Sequence, residues 1–250
     1  MLLVQLSDPH IVSRHETLLG GIDTTAFLRD AVDYVNRLDP EPDLVLITGD
    51  LVNDGTPEQY EHLMELLDPL RAPLHLTPGN HDVHEHLRAQ APTLVHDRRG
   101  RADGVIEGPL RIVAVDSSRF PLAGGSLDAG QLAWLDDVLS DARHAPTVVT
   151  MHHPPFATGI KHMDVMGLAP DAVAGLAAVV AQHPQVERVL CGHLHRFIDL
   201  CSSFDQFADN FRWQVFAQRR EQRSSVAEPP LPETNRSIKS DGLQRPRDIG

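Results

Sequence analysis

Cysteine is nearly absent. The 250-residue chain carries two, Cys191 and Cys201, and they form no CxxC pair. That excludes a disulfide framework and a zinc finger, and both read as isolated thiols, one at a strand end and one in the tail. Long apolar runs are missing too. No stretch approaches the ~18–20 residues of a membrane span. Leu2–Leu6 is too short for the core of a secretory signal, lacks a basic flank and runs straight into Asp8. The expectation is a cytoplasmic protein with no membrane partner. Basic residues are in deficit, 22 Lys+Arg against 35 Asp+Glu, a formal charge of −13. Sequence-independent nucleic-acid binding needs a basic footprint, so no nucleic-acid partner is expected and a nuclease is disfavoured.

The length suits one α/β domain, or one domain with an appendage. Short β-branched runs at Leu2–Leu6, Leu44–Thr48, Leu74–Thr77, Leu110–Val115, Thr147–Met151 and Val186–Cys191 read as strands. Between them lie helical patterns. Thr24–Leu38 has apolar residues at Phe27, Leu28, Ala31, Val32 and Val35, with Asp39-Pro40 as a stop. Pro57–Leu70 opens with Thr56 as N-cap and Pro57 at the first helical position. Asp128–Ala142 and Pro170–Gln182 complete the set. Strands alternating with helices predict a layered α/β fold with functional groups on loops at strand ends.

Five segments then stand out: Asp8-Pro9-His10, Gly49-Asp50, Gly79-Asn80-His81-Asp82, His152-His153 and Gly192-His193-Leu194-His195. Each follows a predicted strand. A lone Asp at a strand end is usually a turn residue, and a single His-x-His pair is weak evidence of a metal. Their joint occurrence in one order points to a site for divalent ions, which take carboxylate, amide oxygen and imidazole ligands. The number of donors suits two ions, held about 3.5–4 Å apart by a shared carboxylate. Asp50 is the candidate bridge, because Gly49 before it allows the sharp turn. Asp8 with His10, and His193 with His195, stand two apart, so extended backbone would point each pair to one side. The same reasoning sends His153 to the face opposite His152 and makes it structural.

These segments resemble the signature of the calcineurin-like metallophosphoesterase superfamily across residues 2–196. The His152-His153-Pro154-Pro155 and Asp116-Ser117-Ser118-Arg119 runs bring the resemblance nearer to the class III cyclic nucleotide phosphodiesterases and the glycerophosphodiesterases beside them. The resemblance implies an α/β/β/α sandwich, a β-sandwich flanked by helices. It implies one metal on Asp8, His10, Asp50 and His195, and a second on Asp50, Asn80, His152 and His193. Iron, manganese, zinc or cobalt would serve. It implies His81 as the acid that protonates the leaving alkoxide, with a metal-bound hydroxide as nucleophile. The implied function is hydrolysis of 3′,5′-cyclic nucleotides such as cAMP, the alternative being glycerophosphodiesters or a broad range of diesters. A catalytically silent metal-binding module is the reading of another class, and the intact His81 argues against it.

Smaller expectations attach to neighbouring residues. Asp82 either orients His81 or, preferably, caps the helix that begins near Val83. Asn53 and Asp54 could support the bridge by hydrogen bonding. His84 and His86 lie at the pocket rim and read as exposed. The loop Phe156–Leu168, with His162, reads as a substrate lid, which Gly159 and Gly167 allow to move.

The chain changes character after residue 196. All 15 histidines lie at or before His195. The expected division is a domain over 1–198 and a divergent segment over 199–250. That segment has a helix candidate carrying Phe204, Phe207, Phe211 and Phe216, then a polar tail. Related enzymes continue with further strands that shape the pocket or a dimer contact, so a homodimer stays open. A divergent appendage and a frame-shifted translation fit the change equally.

Overall fold

The computed structural model describes residues 1–195. The division at residue 198 and the Phe-rich helix candidate lie outside the described residues. Strands β1 (Leu3–Leu6), β2 (Leu44–Thr48) and β3 (Leu74–Thr77) form a parallel sheet in the order β1-β2-β3. A second sheet has the order β4-β5-β6-β7, from β4 (Gly104–Ile106), β5 (Arg111–Ala114), β6 (Thr147–Thr150) and β7 (Val186–Leu190). Its β5, β6 and β7 run parallel and β4 antiparallel to β5.

Residue alternation explains why the sheets stack. In β2, Leu44 and Leu46 join Leu3 against Ile112, Val148 and Leu190 of the second sheet. The intervening Val45 and Ile47 face the other way, into clusters with α1 (Thr24–Val35) and α2 (Pro57–Leu67). Val113, Val149 and Val189 likewise turn outward onto Leu135 and Leu139 of α4 (Ala129–Asp141) and Leu176 and Val180 of α6 (Pro170–Val180). Strands buried on both faces need apolar residues at every position, which is why β2 reads as an unbroken run. Each such aliphatic side chain contributes roughly 1.5–3 kcal/mol by leaving water. The result is the expected α/β/β/α layering.

The helices end earlier than their apolar periods. After α1 the chain tightens into i→i+3 bonds, Arg37 N–H to Tyr34 O at 3.0 Å and Leu38 N–H to Val35 O at 3.2 Å. Three elements are short: β4, α3 (His84–Gln90) and α5 (Lys161–Val165), the last inside the expected lid loop. In that loop the Asp164 carboxylate accepts from the backbone N–H groups of Thr158 and Gly159, at 2.6 and 3.1 Å.

Candidate metal centre

The loops after β1 and β2 run side by side. Asp8 N–H donates to Gly49 O at 3.1 Å and His10 N–H to Asp50 O at 3.0 Å. From the second sheet, the His193 N–H points between both Asp8 carboxylate oxygens, 3.0 Å from each. The sheets therefore bring their functional loops to one edge. The expected means of convergence is corrected: Asp8, His10, Asp50, His193 and His195 do not lie in extended backbone but at φ of 55°, 42°, 49°, 73° and 50°. Among the described residues eight non-glycine positions have positive φ, and five of them are these. Left-handed backbone is costly away from glycine, and such residues concentrate at functional sites. Gly49, at φ 90°, is required twice over, since a Cβ there would overlap the His152 ring.

The donor atoms meet in two groups. In one, a donor atom from each of Asp8, His10, Asp50 and His195 lies within 4.8 Å of the others. His10 Nε2 is 3.0 Å from His195 Nε2 and 3.5 Å from Asp50 Oδ2, and His195 Nε2 is 3.6 Å from Asp8 Oδ1. In the other, His152 Nε2 stands 3.3 Å from Asp50 Oδ2, 3.2 Å from Asn80 Oδ1 and 3.3 Å from His193 Nδ1. Asp50 Oδ2 thus faces both groups, while Asp50 Oδ1 accepts from the His81 N–H at 3.0 Å.

His153 also falls within this second group. Its ring packs 4.9 Å from those of both His152 and His193, so it does not point to the opposite face. The bend after β6 breaks the strand alternation that placed it there. Both its nitrogens are occupied, however. Nε2 donates to Ala123 O at 3.1 Å, and Nδ1 meets the Ser117 hydroxyl at 2.9 Å. Burial, with His152 and His193 beside it, pushes its pKa down to about 2. It is a neutral spacer.

The donor set fits cations. His152 Nδ1 donates to Thr48 O at 2.9 Å, which leaves Nε2 as the nitrogen that faces Asp50, Asn80 and His193. Burial lowers the His10 and His193 pKa values to about 4 each, so both present neutral imidazoles. Burial raises Asp50 and lowers His152, but their mutual attraction prevails: Asp50 falls well below the carboxylate range and His152 rises to about 9. Acceptor atoms this close need positive charge between them, and a shared proton satisfies only one pair. Asp8 shifts upward through burial.

His81 Nδ1 donates to Asn53 O at 2.6 Å, and its ring meets His10 edge-on at 4.7 Å. The support from Asn53 is therefore a backbone carbonyl. Asp54 instead binds Gln59, accepting from its Nε2 at 2.8 Å. Asp82 does not cap α3. Its carboxylate accepts from Gly79 N–H at 2.7 Å, Leu51 N–H at 3.1 Å and Tyr60 Oη–H at 2.8 Å, and α3 begins without a side-chain cap. Burial lifts the Asp82 pKa to about 6 despite these donors. His84 and His86 are half-buried, not exposed: His84 Nε2 lies 2.6 Å from Asp116 Oδ2, and His86 Nδ1 2.8 Å from Gly55 O. Beside Asn80 and His81 opens a cleft of about 430 Å³, lined also by Asn53, Asp54, Phe120, Pro121 and Ala123. That is ample for a small ligand. The Phe120–Ala123 wall carried no sequence signal except its position after the Asp116–Arg119 run.

Known proteins share much of this sequence and its fold. The chain is 40% identical over 199 residues to a glycerophosphodiester phosphodiesterase, GpdQ, of Enterobacter lignolyticus, covering 78% of this chain and 71% of that protein. It is 36% identical over 200 residues to the 3′,5′-cyclic adenosine monophosphate phosphodiesterase CpdA of Pseudomonas aeruginosa, covering 80% and 71%. In structure it resembles a purple acid phosphatase from yellow lupin, with a TM-score of 0.55 and 15% identity over 77% of this chain and 37% of the lupin chain, a likeness of fold. The profile of the calcineurin-like phosphoesterases matches residues 1–197. Strand-end carboxylates and imidazoles meeting at one sheet edge, inside a sequence that this profile spans, make the chain a member of the calcineurin-like phosphoesterase family and a phosphodiester hydrolase.

Proposed function

We propose that the chain hydrolyses small phosphodiesters at a dinuclear metal site, with 3′,5′-cyclic nucleotides such as cAMP as the substrate class. The observation that carries the reading is Asp50 Oδ2, which faces His10 on one side and His152 on the other. Asp8, His10, Asp50 and His195 would hold one ion; Asp50, Asn80, His152 and His193 the other. Iron, manganese, zinc and cobalt all suit this mixture of oxygen and nitrogen donors. Such ions, when bound, lower the pKa of water from ~15.7 toward ~7 and offset negative charge at phosphorus.

His81 is the proposed acid. Its Nδ1–H is committed to Asn53 O, so the proton given to the leaving alkoxide must come from Nε2. The working form is then the doubly protonated ring, which the Asn53 carbonyl orients. General acid help of this kind is worth about 10²–10⁴-fold. Asn80 stands at the junction of metal group and cleft, and orients the diester between them.

The test is turnover by the manganese-loaded protein of cAMP and of glycerophosphoethanolamine. The 40% identity to a glycerophosphodiester phosphodiesterase supports the second substrate, and preference for it would replace cyclic nucleotides in this reading. Asp50→Asn keeps the shape and removes the charge. It is expected to lower kcat/KM by more than the ~10–100-fold that follows loss of a ligand's supporting partner, and to abolish the thermal stabilisation by manganese. A variant retaining both would sink the dinuclear site.

A further inference from the structure

The cleft beside Asn80 and His81 has two unlike walls. Asn53, Asp54, Asn80 and His81 come from the loops after β2 and β3 and are polar, with the Asp54 carboxylate engaged by Gln59; Phe120, Pro121 and Ala123 come from the loop after β5 and are apolar. A phosphate belongs on the polar wall, and the hydrolysis already described leaves the other wall without a role. Phe120 is a large aromatic left 49% exposed. Exposing it forfeits burial energy that a core position would gain, and half-open aromatics in clefts are where binding energy concentrates.

The wall is anchored to the catalytic edge. Leu122 N–H closes a turn on Arg119 O at 2.8 Å, with Phe120 and Pro121 at its tip. One shoulder is held by Arg119 Nη2 donating to Ser126 Oγ at 3.0 Å. On the other, His153 Nε2 donates to Ala123 O at 3.1 Å. His153 packs against His152 and His193, so the turn that carries Phe120 rests on the same histidines as the proposed metal site. An aromatic face fixed this way is preorganised, which reduces the entropy lost on binding.

We propose that Phe120 is the specificity-determining residue, the platform on which the flat base of a nucleotide stacks while its phosphate lies at Asn80 and His81. The proposal rests on the phosphodiesterase reading and deepens it. Stacking of a base on an aromatic side chain is sequence-tolerant, so the platform favours nucleotides over aliphatic alcohols without choosing among bases.

Calorimetric titration of the manganese-loaded full chain with AMP and with glycerol 3-phosphate tests it without turnover. In Phe120→Ala the affinity for AMP is expected to fall about tenfold or more relative to that for glycerol 3-phosphate, and Phe120→Trp is expected to retain the wild-type ratio. Manganese stoichiometry and melting temperature identify any variant that has lost the site as a whole. An unchanged ratio in Phe120→Ala, or loss of the ratio in Phe120→Trp as well, overturns the proposal. The two readings fail separately: absence of cAMP hydrolysis with the Phe120-dependent ratio intact removes the cyclic nucleotide assignment alone.

Discussion

Asp82 sits beneath the site and carries its geometry at the scale of single residues. Its carboxylate holds the N–H of Leu51, next to Asp50, and the N–H of Gly79, next to Asn80, so one buried group sets the spacing of two proposed ligands. Tyr60 completes it, donating to Asp82 Oδ1 at 2.8 Å and accepting from Val83 N–H at 2.9 Å. Tyr60→Phe leaves the buried Asp82 Oδ1 and the half-buried Val83 N–H without this partner. The expected cost is about 1–3 kcal/mol, read from urea unfolding, with weaker manganese binding because the Asp50 and Asn80 loops loosen together. Stability equal to wild type would mean that water replaces the hydroxyl. The proposed ligands were legible in the sequence because each follows an apolar run. Asp82 was not, since its partners Leu51 and Tyr60 lie 31 and 22 residues away. Nothing local distinguishes a carboxylate that gathers distant donors from one that caps the next helix.

At the scale of elements, periodicity located the four longer helices, and chemistry at their ends fixed where they start. Thr56 caps α2 through Gln59 N–H, as its place before Pro57 predicts. Asp128 begins α4 with a reciprocal box: it accepts from Gln131 N–H at 2.9 Å while Gln131 Oε1 accepts from Asp128 N–H at 3.2 Å. Gln131 has a second task, since its Nε2 donates to Asp103 Oδ1 at 3.0 Å and to Asp116 O at 2.8 Å, tying α4 to the loop that carries Phe120. Asp128→Ala is expected to cost about 1 kcal/mol in chemical denaturation, and the loss should grow when combined with Gln131→Ala by less than the sum of the two, because they share one box. Strict additivity would show that the cap and the Asp116 contacts act independently. The three-residue β4 and five-residue α5 escaped the sequence. Neither is long enough to display a period, and both exist because neighbours hold them, β4 on the edge of β5 and α5 by the Asp164 bonds.

At the scale of the whole fold, the described residues form two sheets closed face to face, and sequence periodicity could not say how six predicted strands divide between them; the family resemblance supplied that layering. The seam between the sheets packs Leu3, Leu44 and Leu46 against Ile112, Val148 and Leu190, and polar residues border it on both sides, Gln5 on β1 and a histidine on the β3 edge. There His75 of β3 pairs in register with Leu46, which faces the second sheet, and its ring lies 4.7 Å from that of His96. Nε2 of each is buried without a hydrogen-bond partner. Burial, with His96 beside it, lowers the His75 pKa to about 3, and burial lowers that of His96 as well. The sign follows by linkage. In unfolded chain a histidine takes up its proton near pH ~6.5, whereas folded His75 does so only near 3. Between those values the unfolded state binds the extra proton, so this contribution to stability is complete above pH ~6.5 and is lost as pH falls toward about 3. His75→Phe keeps a flat ring on the seam and cannot titrate. Its urea midpoint should therefore fall less than that of wild type between neutral pH and pH ~4, while the difference at neutral pH reflects only packing and the loss of an unpaired nitrogen. Parallel profiles would place the acid-sensitive groups elsewhere. The proposed metal edge, with the Asp8 and Asp50 carboxylates, would be the alternative, and it is separable because manganese bound there would shift its titration and leave the seam alone.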